Sequence, residues 1–290
     1  MNPLAERRYG ILMVVGSAVL WSTGGLFARA LPLDTAGLVL WRSVFAALTL
    51  GTLAIARGGP GRLLAARHTG WIGVLFAGTS IVSSMAYVIA LRLTTVATVM
   101  TIYAALPFMA TAIAFFWIRE RVTRRFLAAA ALVLGGIVLM ASDARAAADW
   151  GGILAALVMT AGFAAQLVAI RRHGRVDVLV LNTWAALLCV PVILPFAHLV
   201  LPPLPVLAGA ACYGALTTGF AYVLALEGGR RISPGEVGFI SMLDVVLGPL
   251  WVWLAFAEQP GWRVLSGGIM VLAVVCWYLW ATRDSATRHA

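Results

Sequence analysis

No lysine occurs among the 290 residues, and only 11% of them are charged. A water-soluble domain carries roughly 25% charged residues, so a soluble globule of this size is excluded. Cysteine is scarce too. The three present, Cys189, Cys212 and Cys276, lie inside apolar runs with no CxxC pair, which points to packing rather than redox or metal chemistry. The four histidines fall in short gaps, near helix ends or at the tail. No metal site and no cofactor are expected. No Walker loop is present, so ATP is excluded as a direct fuel. GxSxG, HExxH and paired histidine ligands are also missing, and no enzyme is expected.

What the chain has instead is apolar sequence. It is 62% hydrophobic with a mean hydropathy of +0.96, and its natural solvent is the lipid bilayer. A membrane-crossing helix needs about 20 mostly apolar residues. Such runs cover 9–30, 35–56, 69–92, 95–117, 123–141, 149–170, 178–200, 204–227, 232–256 and 262–282, leaving no room for a soluble domain. The opening "MNPLAERRYGILMVV" has the charge of a signal peptide but no small-residue cleavage site. It reads as the start of a retained first span.

The net charge of +10 is carried wholly by arginine. A basic balance can indicate nucleic acid, but here the arginines sit between apolar runs and report orientation. Sixteen of the 21 fall in the N-terminal segment, the even-numbered gaps and the tail, and four in the other gaps. The positive-inside rule then places both termini in the cytoplasm. Arg42 alone lies well inside a run.

The ten runs repeat as two sets of five. "AYVIAL" (Ala86–Leu91) returns as "AYVLAL" (Ala221–Leu226). "ERVTRRFL" (Glu120–Leu127) shares Glu, Arg and Leu spacing with "EQPGWRVL" (Glu258–Leu265), and "GLVLWRSVFAAL" of the second run is similar to "VLVLNTWAAL" of the seventh. The matches keep one order and nearly one offset. Five spans is an odd number, so the second copy crosses the membrane in the opposite sense. Inverted repeats of this kind belong to secondary transporters, with the binding site near the midplane between the halves. The expected fold is therefore an all-α integral membrane protein of ten transmembrane helices, with one repeat over 1–142 and an inverted one over 149–290.

Two five-helix copies, "LWST" (Leu20–Thr23) in the first run, an arginine in the second and a Pro-to-Glu spacing ending the fourth resemble the drug/metabolite transporter superfamily, EamA type. "LWST" is also similar to the aromatic amino-acid exporters of the YddG type. The resemblance implies a bacterial inner-membrane exporter of small metabolites working by alternating access, and a monomer is expected. The sequence departs from the pattern in one place. Pro107 precedes Glu120 by thirteen residues, but Val245 stands thirteen before Glu258 and the proline is displaced to Pro249. Asp244 occupies the position before the expected proline, where the first copy has Leu106.

Most of the acids have ordinary explanations. Asp34, Asp149 and Asp177 begin spans 2, 6 and 7, where a carboxylate caps free N–H groups and meets the helix dipole. "SPGE" (Ser233–Glu236) reads as a capping box with proline at N1, with coupling as Glu236's alternative role. Glu120 and Glu258 follow span ends near arginines and read as interfacial ion-pair residues. Asp244 differs. It lies about twelve residues, or ~18 Å, into the ninth run, near the midplane, where an aspartate costs about 2.5–3.5 kcal/mol on insertion scales. It must face a wet cavity, pair with a cation or stay protonated. One reading is a protonated aspartate hydrogen-bonded between helices; the other is a place on the substrate or proton path. Arg42, ~10 Å from the outer end of its run, either reaches Asp244 or snorkels outward.

Trp21 and Ser22 lie mid-span in the first run, and Phe163 and Gln166 at matching depth in the sixth. Gly24 and Gly25 permit a bend or close helix approach. Tyr103 lies one turn before Pro107. Pro107 and Pro249 free backbone carbonyls for a polar ligand or water. Trp251, Trp253, Trp262, Trp277 and Trp280 lie toward span ends and suit the interfacial belt. Tyr87 and its counterpart Tyr222 fall at opposite mouths of the pathway, as parts of an outer and an inner gate.

The function expected from these residues is export of small apolar or aromatic metabolites, amino acids first. Proton antiport through Asp244 and facilitated diffusion are both compatible. A lone intramembrane cation argues against phosphorylated substrates, which would want a cationic cluster. An intramembrane aspartyl protease would need a second deep carboxylate. A passive channel or a broad-range efflux carrier are the remaining alternatives.

Overall fold

An apolar chain in lipid must satisfy every backbone polar group internally, and this chain does so with helices. The computed structural model describes residues 3–64, 70–119, 123–142, 147–172, 177–198, 201–232 and 234–287. In order these give α1 (Pro3–Ser22), α2 (Gly24–Ala30), α3 (Thr35–Gly58), the single turn α4 (Gly61–Leu64), α5 (Gly70–Leu93), α6 (Val96–Ala104) and α7 (Leu106–Ile118). There follow α8 (Arg124–Ala141), α9 (Ala147–Arg172), α10 (Val178–Ile193), α11 (Leu204–Cys212), a π-helical stretch Tyr213–Phe220, α12 (Ala221–Gly229), α13 (Pro234–Phe256) and α14 (Trp262–Thr287). No strand occurs among the described residues.

Among the described residues eight helical stretches are long and apolar enough to cross a membrane, and nine if α6 and α7 count as one span bent by 43°. The tenth apolar run falls on α14, whose apolar described part, Trp262–Tyr278, is shorter. Large apolar side chains face outward along the bundle, Phe116 at 80%, Leu204 at 78% and Val74 at 74% exposure. A water-facing protein rarely exposes so many together; lipid makes them ordinary.

The packing repeats with the sequence. Helix α1 lies along α12 and α13, and α9 lies along α5 and α7. Advancing by five spans turns the first set of neighbours into the second. Helices α3 with α10, α6 with α13 and α8 with α14 pack as pairs that the same operation maps onto themselves. The closest approaches use glycine. A Cβ on Gly10 would lie 3.1 Å from the Gly228 carbonyl oxygen, and one on Gly267 2.5 Å from that of Gly136.

Local starts are set as the acids suggest. Asp34 caps α3 by accepting from the Gly37 N–H at 3.2 Å, and Asp177 caps α10 through the N–H groups of Leu179 and Val180 at 3.1 and 3.3 Å. Asp149 lies in the first turn of α9, where its carboxylate meets the positive end of the helix dipole. Glu120 and Ser233 lie outside the described residues. Glu236 accepts from Arg7 Nε at 3.1 Å, tying the start of α13 to that of α1.

Two sequence expectations, on Pro249 and Trp251, change. Pro107 is the second residue of α7, two after the bend at Ala105, but α13 runs through Pro249 without interruption. One proline removes one N–H from a helix otherwise held along its length. Gly24 and Gly25 open α2 just after the turn at Thr23, and their small size serves close approach. A Cβ on Gly24 would lie 2.3 Å from Tyr87 Oη, and one on Gly25 2.9 Å from Val96. Trp251 faces inward, its Nε1 donating to Ser22 Oγ at 2.9 Å, whereas Trp253 and Trp262 face outward at 50% and 69% exposure.

Candidate functional site

A cavity of about 280 Å³ lies between the two halves. The first half supplies Trp21, Arg42, Phe76, Ser80, Ser84, Tyr87, Met100, Tyr103 and Leu106. The second supplies Met159, Phe163, Gln166, Leu167, Ile170, Asn182, Thr217, Thr218, Tyr222 and Asp244. Eight residues singled out from the sequence therefore share one space: Trp21, Arg42, Tyr87, Tyr103, Phe163, Gln166, Tyr222 and Asp244. Ser22 does not join them. It is fully buried, donates to the Val19 carbonyl at 2.7 Å and receives Trp251.

Depth along each helix explains the gathering. Residues near the middle of spans meet where the halves meet. Tyr103, at the end of α6, meets Phe163 of α9 edge to face at 6.1 Å between centroids. Leu106 and Asp244, the unequal pair of the repeat, both line the cavity, so its walls are chemically lopsided.

The two charges do not pair with each other. Among the described residues neither Arg42 nor Asp244 takes part in an ion pair. The Arg42 guanidinium instead lies between two rings, 5.4 Å from the centre of Tyr213 and 5.8 Å from that of Tyr87. Cation–π contacts of this kind strengthen when water is excluded. Arg42 and Asp244 are 8% and 7% exposed, and Asp244 Oδ1 has no hydrogen-bond partner among the described residues. An unpaired buried polar atom is costly, and its presence in a cavity wall is a signature of a ligand site.

Tyr213 was not singled out by sequence reasoning. It is fully buried, stacks on Phe27 at 5.4 Å and opens the π-helical stretch. There Gly214 and Gly219 both face α3, against the Arg42 carbonyl and Thr49. Residues five apart diverge on an α-helix, and the π-helical winding keeps this pair on one side. The polar residues Ser80, Asn182 and Thr217 were also passed over; their only sequence signal is a polar side chain within an apolar run.

The cavity's lining reaches toward one end of the helices. It reaches Ile170, near the arginine end of α9, with Asn182 and Tyr222. Toward the other end Arg42 and Tyr87 line it, with Tyr213 packed on Arg42 and Phe27 stacked on Tyr213 to complete a layer. Beyond this layer a polar junction ties the helix ends together. Glu258 pairs with Arg29 at 3.0 Å and accepts from the Val96 N–H at 2.9 Å, while Arg29 donates to the Thr94 carbonyl at 2.8 Å. Arg92 donates to the carbonyls of Leu31 and Leu33 at 3.2 and 2.7 Å.

A helical multi-pass membrane protein with a cavity lined by both halves and a polar junction at one end of the bundle has the build of a transporter. The family comparison gives the particular class. Residues 8–142 and 150–280 each match the EamA-like transporter family, and the chain belongs to that family. A solved structure described only as "Crystal structure of protein" superposes with a TM-score of 0.64 at 19% identity, covering 95% of this chain and 98% of its own; at that identity the likeness concerns the fold alone. Comparison with curated proteins gives no match.

Proposed function

We propose that this protein is a ten-span secondary transporter of the bacterial inner membrane that exports small apolar or aromatic metabolites, amino acids first, by alternating access. Its two five-helix halves are inverted, both termini are cytoplasmic, and it acts as a monomer. The observation that carries the reading is the inter-half cavity, whose lining reaches toward the arginine-rich end. With the positive-inside rule, this is the inward-facing state. The cavity volume of about 280 Å³ lies just below the ~300–1,000 Å³ typical of ligand pockets, which favours a small metabolite over a broad range of bulky drugs. Aromatic walls and two lone charges suit an amphipathic molecule.

The test is counterflow of labelled amino acids in proteoliposomes, with and without a pH gradient. A carrier accumulates label transiently against trans substrate; a channel does not, and its absence with every amino acid would reject the reading. Stimulation by an inward proton gradient would assign antiport, and indifference to it facilitated diffusion.

The gates give a second expectation. In a background with the three cysteines replaced, Tyr87→Cys and Tyr222→Cys will change their labelling rates in opposite directions when substrate or lipid conditions shift the state. Tyr222→Cys reports the inner mouth and Tyr87→Cys the outer. Parallel changes would refute the assignment.

A further inference from the structure

We propose that Arg42 and Asp244 hold the two ends of a zwitterionic substrate, the guanidinium taking a carboxylate and the aspartate an ammonium group. This rests on the exporter reading and adds what that reading lacks, the chemistry by which the site recognises its cargo. The argument is one of unmet partners. Both charges are more than nine-tenths buried, both line the same cavity, and neither has a counter-ion among the described residues. Among the described residues Asp244 Oδ1 lacks a hydrogen bond, and so does the amide nitrogen of Gln166 in the same wall.

A neutral molecule entering this space leaves both charges unpaired. An anion satisfies Arg42 alone, and a cation Asp244 alone. Only a molecule carrying both groups satisfies both, while its apolar body rests against Trp21, Phe76, Tyr103 and Phe163. The tyrosine rings around Arg42 accept its charge without neutralising it, so the guanidinium stays available to a carboxylate, which it can grip with two parallel N–H bonds. The acid has no equivalent in the first repeat, where Leu106 stands. The site is therefore polar in a fixed direction, with a carboxylate end toward α3 and an ammonium end toward α13.

Sites built around buried polar groups reject analogues that leave one of them unpaired far more strongly than apolar pockets reject a size change. Purified protein is to be titrated with phenylalanine, with 3-phenylpropanoate, which lacks the amine, and with 2-phenylethylamine, which lacks the carboxylate. Counterflow inhibition by the same three compounds is measured in parallel. The wild type should prefer phenylalanine over each analogue by about tenfold or more. Arg42→Gln should bring phenylalanine down to the level of the amine, and Asp244→Asn should bring it down to the level of the acid. This crossed pattern is not produced by general loss of fold.

An analogue that binds the wild type as tightly as phenylalanine overturns the proposal, and this comparison decides even where a variant does not fold. Folded variants that lose all three compounds alike overturn it too. Amino-acid counterflow with no preference among the three removes the charge assignment and leaves the exporter reading standing. Failure of all amino-acid counterflow removes both.

Discussion

Replacing Gly267 with leucine will leave little folded protein in the membrane. A Cβ at this position would lie 2.5 Å from the carbonyl oxygen of Gly136, 3.1 Å from Met140 Cβ and 3.3 Å from the Met140 nitrogen. The reverse fit is as tight, since a Cβ on Gly136 would lie 3.0 Å from the Gly267 oxygen. Backbone meets backbone here, so no side-chain tip can swing aside. In lipid, helices associate through such packing rather than through a hydrophobic drive. Overpacking a core costs typically about 1–3 kcal/mol. Alanine should cost that much, and leucine more, because α8 and α14 must part. Gly78→Leu is the control, since a Cβ there meets nothing within 4 Å, and its effect should stay within about 0.5 kcal/mol. Thermal unfolding in detergent and the yield of monodisperse protein measure both. Equal behaviour of the two variants would show that the seam between α8 and α14 is not where the halves are held.

The same seam shows what the sequence made legible. Hydropathy located the helices because lipid permits few other backbones, and the odd-numbered repeat implied how the halves relate. Depth was readable as well: Trp21, Tyr103, Phe163 and Asp244 stand mid-run, and they line one cavity. Azimuth was not. Trp251 stands near a span end like its belt neighbours, yet turns inward to Ser22, because the direction of a side chain around a helix depends on which neighbour is packed there. Arg42 and Asp244 were each visible as costly charges, but the rings that hold Arg42 were not, since Tyr213 looks like any apolar-run aromatic. The π-helical stretch carries no composition signal; it is fixed by how Gly214 and Gly219 fit α3. Glu258 was recognised as an ion-pair residue, but its second partner, a backbone N–H at the start of α6, belongs to a helix far away in sequence.

That second partner makes Glu258→Ala the other large expected effect: the variant will shift the protein toward the outward-facing state. The carboxylate joins three elements, the end of α13, Arg29 at the end of α2 and Val96 at the start of α6. On the alternating-access reading proposed above, opening this end of the bundle would separate these elements, so removing the contacts would penalise one state and spare the other. The ion pair is partly exposed, with side chains at 25% and 22%, and by itself is worth about 0.2–1 kcal/mol. The hydrogen bond from Val96 to a charged acceptor adds to it, since such bonds contribute roughly 1.5–3 kcal/mol when buried and less here. A total of about 1–2 kcal/mol changes the ratio of states by about 5–30-fold. Glu258→Gln keeps an acceptor for the Val96 N–H and should give the smaller shift. Labelling of Tyr87→Cys from the outer face should speed up in the order Gln then Ala, while Tyr222→Cys slows at the inner face. Arg29→Ala should move both rates the same way. Combined with Glu258→Ala it should add less than the sum, because the two residues share one interaction. Unchanged labelling in folded Glu258→Ala protein would make the junction a passive tie between loops. The closed end would then owe its seal to the Phe27, Tyr213, Arg42 and Tyr87 layer alone, and substitution of Phe27 would become the change that opens it.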